Sequence, residues 1–121
     1  MSLEKPLKLD RQIAKAERRQ ASARHAQARR AKEQRAWQQV RAQVYERDRG
    51  RCRVCQTAVK FASSWPADLG HTHHLRYRSA GGDDSTGNLV LLCGACHRAA
   101  HAHRIDLDGD GDAAIIVTRR A

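Results

Sequence analysis

The sequence predicts an α+β protein in which a long basic helix precedes a small core stapled by zinc. Three observations predict it. Residues 7 to 49 contain neither Gly nor Pro, two Cys-x-x-Cys pairs stand 37 residues apart, and short β-forming runs alternate with Gly-rich turns around the second pair. A chain of 121 residues fits one small domain with an appendage. With 4% aromatic and 30% charged residues, burial alone is too weak to brace such a core. The usual substitutes are disulfides or a structural metal.

The first element follows from composition. Residues 7 to 49 are rich in Ala, Arg, Gln, Lys and Glu, all strong helix formers. Between Ala14 and Ala36 the only apolar side chains are alanines, so this stretch has no stripe of large residues to bury and should lie in solvent or along a ligand. From Trp37 the pattern changes: Trp37, Val40 and Val44 fall at i, i+3 and i+7, the spacing of a packed face. Gly50 is a candidate C-cap. The organisation read from these shifts is a basic helical extension at 1–36, a core domain at 37–103 and a hairpin tail at 104–121.

Charge names a partner class. The net charge is +10, and residues 1 to 50 hold 14 Lys/Arg against 6 Asp/Glu, while the remainder holds 9 against 7. A solvated helix face has such a composition, and so does a helix that grips a polyanion such as nucleic acid. The apolar runs are too short to span a bilayer, and residues 1 to 10 lack the apolar core of a secretory signal. A cytoplasmic protein with no membrane partner is the expectation. In a reducing compartment, paired cysteines are expected as thiolate ligands.

The remaining elements follow in order. Residues 56–70 read as a loop anchored by Trp65 and Pro66. A histidine-rich strand at 71–76, a polar Gly-rich loop at 79–87 and an apolar strand at 89–92 come next. The second cysteine pair should open a helix running to about His103, and the tail reads as two short strands around a Gly/Asp turn. The tail's Asp106, Asp108, Asp110 and Asp112 hint at calcium, but Val117 stands at the twelfth position, where an EF-hand requires a bidentate Glu. A turn is the better reading.

Two sets of side chains carry chemistry. Cys52, Cys55, Cys93 and Cys96 form two knuckles that can surround one Zn²⁺ tetrahedrally at roughly 2.3 Å, a closed site that braces the fold and leaves no position for substrate. The histidines are the second set: His71, His73 and His74 before the loop, His97 and His101 after the second knuckle. His97 and His101 lie four apart and so share a helix face, while Cys96 is rotated about 100 degrees from His97. One helix can thus serve two metal sites. His25 and His103 are expected in solvent.

The string His73-His74-Leu-Arg-Tyr-Arg-Ser-Ala-Gly-Gly-Asp-Asp-Ser-Thr-Gly-Asn88-Leu-Val-Leu-Leu-Cys93-Gly-Ala-Cys96-His97-Arg-Ala-Ala-His101, preceded by Cys52-x-x-Cys55, resembles the HNH endonuclease family. The resemblance covers roughly residues 40 to 103. It implies a treble-clef-like ββα-metal core: a hairpin bearing the paired histidines, a loop ended by the asparagine, and a helix with the last histidines. It implies His74 as the general base, His73 as a metal ligand, and His97 and His101 as further ligands. Asn88 would either coordinate the metal or hold the loop that aims the base. The cofactors implied are a structural Zn²⁺ and one catalytic divalent ion, Mg²⁺, Mn²⁺, Ni²⁺ or Zn²⁺. The substrate implied is nucleic acid, double-stranded DNA ahead of RNA, cut to leave 5′-phosphate and 3′-hydroxyl ends.

The chemistry of these residues agrees with such roles. Phosphodiester hydrolysis needs a proton acceptor near neutral pH, which imidazole supplies, and positive charge beside the phosphoryl oxygens, which a divalent ion supplies. A metal-bound imidazole has its lone pair engaged, so base and ligand must be different residues. Adjacent strand residues point to opposite faces, however, so His73 and His74 share a site only if the strand ends or bulges, whereas His71 and His73 share a face automatically. The resemblance favours the pair 73 and 74 and leaves His71 as a supporting residue. Arg76, Arg78 and Arg98 flank the site and are candidates for holding phosphates, and Asp83 and Asp84 read as solvated loop residues. The competing reading is a non-catalytic zinc-stabilised module that only binds nucleic acid.

Overall fold

The computed structural model describes residues 7–120; residues 1–6 of the expected helical extension and residue 121 of the tail lie outside them. The described residues form an α+β fold. Its elements are α1 (Lys8–Arg47), β1 (His71–His74), β2 (Leu89–Leu92), α2 (Gly94–His101), β3 (Ile105–Gly109) and β4 (Ile115–Arg119), with 3₁₀ turns at Pro66–Asp68, Arg78–Ala80 and Thr86–Asn88. No described helix is long and apolar enough to cross a membrane. The chain divides into two units, one ending at Ala36 and the other beginning at Trp37. The first unit is helical from Lys8, with Asp10 in the first turn, where a carboxylate offsets the helix dipole.

In the second unit the last turns of α1 bury Val44 and set Trp37, Val40 and Tyr45 against the core. The helix then stops at a left-handed cap. Gly50 has φ 64° and its N–H reaches back to Tyr45 O at 3.0 Å, while a Cβ there would lie 2.9 Å from the Tyr45 hydroxyl.

β1 and β2 pair antiparallel with His71 opposite Leu92 and His74 opposite Leu89. β2 is buried along its whole length, which accounts for its unbroken apolar run. Opposed residues share a face. One face therefore carries His71, His73, Val90 and Leu92, and α2 packs on it. The other carries Thr72, His74, Leu89 and Leu91, with the Trp37 ring lying on His74.

A buried carboxylate ties the end of α1 to this hairpin. The Asp48 side chain is 1% exposed and accepts from Arg47, from Arg53 at 2.8 Å and from the Leu91 N–H at 2.9 Å, so its charge is paired on every side. Arg47 also donates to Thr86 O and Leu89 O, both at 2.6 Å, and to Asp112 in the turn between β3 and β4. β3 and β4 form an antiparallel hairpin, and Ile105 is buried in the core.

Two expectations need correction. Trp65 does not anchor its loop, being 73% exposed. Backbone pairing closes that loop instead, through Lys60 N–H to Asp68 O and Gly70 N–H to Lys60 O, and the Tyr45 side chain donates its hydroxyl to Val59 O. The histidine strand ends at His74, short of residue 76: the Leu75 N–H still reaches Asn88 O, but the Asn88 N–H turns to Ser85 O in the 3₁₀ turn, so the return bond that would extend the ladder is not made.

Candidate metal and active site

Local hydrogen bonding builds the cysteine cluster. Cys52 and Cys55 flank a tight turn closed by Gln56 N–H to Cys52 O and Cys52 N–H to Thr57 O, both 2.9 Å. Cys93 caps α2, its Sγ accepting from Cys96 N–H. The four Sγ atoms lie within 4.8 Å of one another, with Cys55 and Cys93 at 3.6 Å. A tetrahedral site with metal–sulfur bonds of about 2.3 Å has edges of about 3.8 Å, whereas a disulfide requires about 2.05 Å. The cluster is positioned to bind a metal. Hydrogen bonding with Thr57 brings the Cys55 thiol down to about 6, while burial pushes Cys52 and Cys96 up. A bound cation supplies the charge that lets all four be thiolates at once.

A second cluster lies on the α2 side of the hairpin. Ring nitrogens of His73, His97 and His101 lie within 4.8 Å of one another, and the Nε2 atoms of His97 and His101 are 3.0 Å apart. Helix periodicity brings the last two together, and β1 delivers His73, which is 4% exposed. His101 is exposed, so the cluster is open on one side. Neighbouring rings brace it: His71 stacks on His97 at 4.4 Å and 6°, and Tyr77 stacks on His101 at 5.8 Å and 8°. Burial, followed by the proximity of the other imidazoles, lowers His73 and His97 to about 4. Both are therefore neutral at pH 7 with lone pairs free for a cation, and three imidazoles at this spacing fit a single divalent ion with room for further ligands.

His74 leaves the strand on the other face. Its Nε2 lies 2.7 Å from Asp84 Oδ1, and Trp37 stacks on its ring at 5.5 Å and 8°. Arg78 grips Asp84 through Nε at 3.0 Å and a terminal nitrogen at 2.9 Å, and its guanidinium sits 5.1 Å from the Trp37 ring centre. Trp37, Asp84 and Arg78 thus form a linked set of three beside the imidazole. Burial works to raise Asp84, but the hydrogen bonds from His74 and Arg78 outweigh it and hold the carboxyl below its usual range.

Asn88 holds the loop. Its Oδ1 accepts from Arg76 N–H at 2.8 Å, and its Nδ2 donates to Arg76 O at 3.0 Å and Asp83 O at 2.8 Å. Gly82 passes so near that a Cβ would sit 1.8 Å from Arg76 O. Only glycine fits there.

Residues 52–103 match the HNH endonuclease family. This segment is similar to HNH domains. One curated relative, the type IV methyl-directed restriction enzyme EcoKMcrA of Escherichia coli (strain K12), is 34% identical over 62 residues, which is 51% of this chain and 22% of the relative. The chain thus spans about a fifth of that relative's length. No solved structure matches it.

Within the matched segment the structure brings His73, His97 and His101 together, and the four cysteines separately. His74 stands outside the first group because β1 pairs regularly through it, with no bulge. Arg76 donates from Nε to Ala80 O, and Arg78 is engaged by Asp84. Arg98 makes no side-chain hydrogen bond among the described residues and lies near His71. Sequence reasoning took Asp84 for a solvated loop residue; it is exposed in the loop, and its carboxylate also bonds His74 and Arg78. It also passed over Tyr77. The face shared by His71 and His73 was legible from the two-residue period of a strand, but nothing local marks Asp84, which reaches His74 only through loop closure.

Proposed function

We propose that this chain is a metal-dependent endonuclease that hydrolyses DNA, with His74 as general base. The observation that carries the reading is the open cluster of His73, His97 and His101, whose ring nitrogens converge, beside a fourth histidine that does not belong to it. The three imidazoles hold one divalent ion, which supplies positive charge to the phosphoryl and leaving oxygens. His74 takes a proton from water, the oxygen bonds to phosphorus, and the P–O3′ bond breaks with its electron pair going to the 3′ oxygen. The ends are 5′-phosphate and, after protonation from solvent, 3′-hydroxyl. An in-line displacement places attacking and leaving oxygens on opposite sides of phosphorus, so a base and an ion served from two sides of one strand end suit it.

In this reading the four cysteines hold structural Zn²⁺ in the cytoplasm, Asn88 supports the loop beside the base, and Arg76, Arg78 and Arg98 lie along the nucleic acid. Residues 37–103 form the nuclease domain, 104–121 a hairpin tail, and 1–36 a basic arm for the phosphate backbone. The relative's description as a restriction enzyme favours DNA over RNA. The test is supercoiled plasmid incubated with the protein and Mg²⁺, Mn²⁺, Ni²⁺ or Zn²⁺, with an EDTA control. Nicked and linear products that EDTA abolishes are expected. If no ion supports cutting while the plasmid is still bound, the chain is a zinc-stabilised nucleic-acid-binding module.

The arm has its own measurable consequence. Replacing Arg18, Arg19, Arg29 and Arg30 with Gln is expected to weaken DNA binding and to flatten the plot of log affinity against log salt by about 0.9 for each phosphate that the arm no longer neutralises. Equal affinities at two salt concentrations would make the helix a solvated or protein-contacting arm.

A further inference from the structure

We propose that Asp84 is the positioning residue for the general base, accepting the Nε2–H of His74 so that the imidazole presents its Nδ1 lone pair to the attacking water. The inference rests on the nuclease reading above and deepens it. The His74 ring is engaged on two sides: Trp37 covers a face, and the Asp84 carboxylate meets Nε2 at 2.7 Å. A carboxylate can only accept, so Nε2 carries the hydrogen and the lone pair of the neutral ring lies on Nδ1.

Asp84 is itself held. Arg78 meets it with two donors, and the Arg78 guanidinium is set over the same Trp37 that covers His74. The loop backbone carrying Asp84 is fastened by the three hydrogen bonds of Asn88 and by the close passage of Gly82 over Arg76 O. A solvated loop carboxylate would show none of this. Its neighbour Asp83 behaves differently, its side chain bonding only the Ser85 N–H and hydroxyl two residues away among the described residues. The arrangement fixes the ring's tautomer and rotation together and puts negative charge behind the ring that will gain a proton, which is how a carboxylate raises the efficiency of a histidine base. It also gives Arg78 a role apart from phosphate: its two donors face the carboxylate.

Asp84→Ala, Asp84→Asn and His74→Ala proteins, and the double variant His74→Ala/Asp84→Ala, would be compared on supercoiled plasmid, with nickel titration of the histidine cluster as a readout separate from cutting. Asp84→Ala is expected to lower kcat about 10- to 100-fold, with KM and nickel affinity unchanged. Asp84→Asn should recover only part of that loss, because its amide oxygen can accept the Nε2–H but carries no negative charge to stabilise the protonated ring. In the His74→Ala background the second substitution should cost nothing more, since a residue that acts through His74 has no effect without it. An unchanged kcat in Asp84→Ala, a loss confined to KM or to nickel affinity, or a further multiplicative loss in the double variant would each overturn the role of Asp84 and leave the nuclease reading intact. A wild-type protein that cuts nothing overturns both.

Discussion

His74→Ala is expected to lower the turnover for plasmid nicking by about 10²- to 10⁴-fold, the range that positioned proton transfer contributes. The cysteine-bound metal and nickel affinity at the three-histidine cluster should not change, because His74 lies on the opposite face of the hairpin from His73 and its side chain touches Trp37 and Asp84 instead. Loss of the ring also removes its stack on Trp37, so a thermal melt must accompany the assay. Added imidazole should restore part of the activity if the missing function is proton acceptance. His71→Ala supplies the contrast: the His71 ring braces His97 at 4.4 Å, so its loss should weaken nickel binding and leave turnover at saturating metal near the wild-type value. If His74→Ala cuts at the normal rate while His71→Ala does not, His71 is the base.

Cys52→Ser is expected to unfold the region around the hairpin. The buried apolar side chains of the second unit amount to Val44, Val59, Leu89 to Leu92, Ala100 and Ile105 besides the cysteines, a small core for its length. Structural zinc binding contributes on the order of 10 kcal/mol at pH 7, comparable to the whole stability of a domain this size. Cys52 is fully buried beneath the turn that carries Cys55, so a weaker ligand there has no room to adjust. The measurement is a urea titration at fixed zinc, with His73→Ala as the comparison, since that change should remove the open cluster's ion and spare the fold. A variant with the wild-type urea midpoint and one zinc per chain fewer would show that the cysteine site is not structural.

Much of this was legible along the chain. The long helix, the two knuckles and the i, i+4 pair His97 and His101 are local patterns, because a helix repeats every 3.6 residues and a knuckle closes within a few. The run Leu89 to Leu92 reads as a buried strand for the same reason. The resemblance to the HNH family, carried by His73, His74, Asn88 and His97, lies where the family match falls. Trp65 misled because an aromatic residue beside proline resembles an anchor, and only the pairing of Lys60 with Leu69 shows that the loop is closed without it.

Residue order shows which side chains carry ligand chemistry, and it leaves open whether strand neighbours such as His73 and His74 share a site, since a bulge or strand end would allow it. Where each of them goes is settled by packing. His73 joins two imidazoles delivered by α2, while His74 joins a tryptophan from α1 and a carboxylate from a loop ten residues on. The difference is one of range: backbone periodicity sets the direction of a side chain over a few residues, whereas the partner it meets depends on how separate elements pack and how a loop closes.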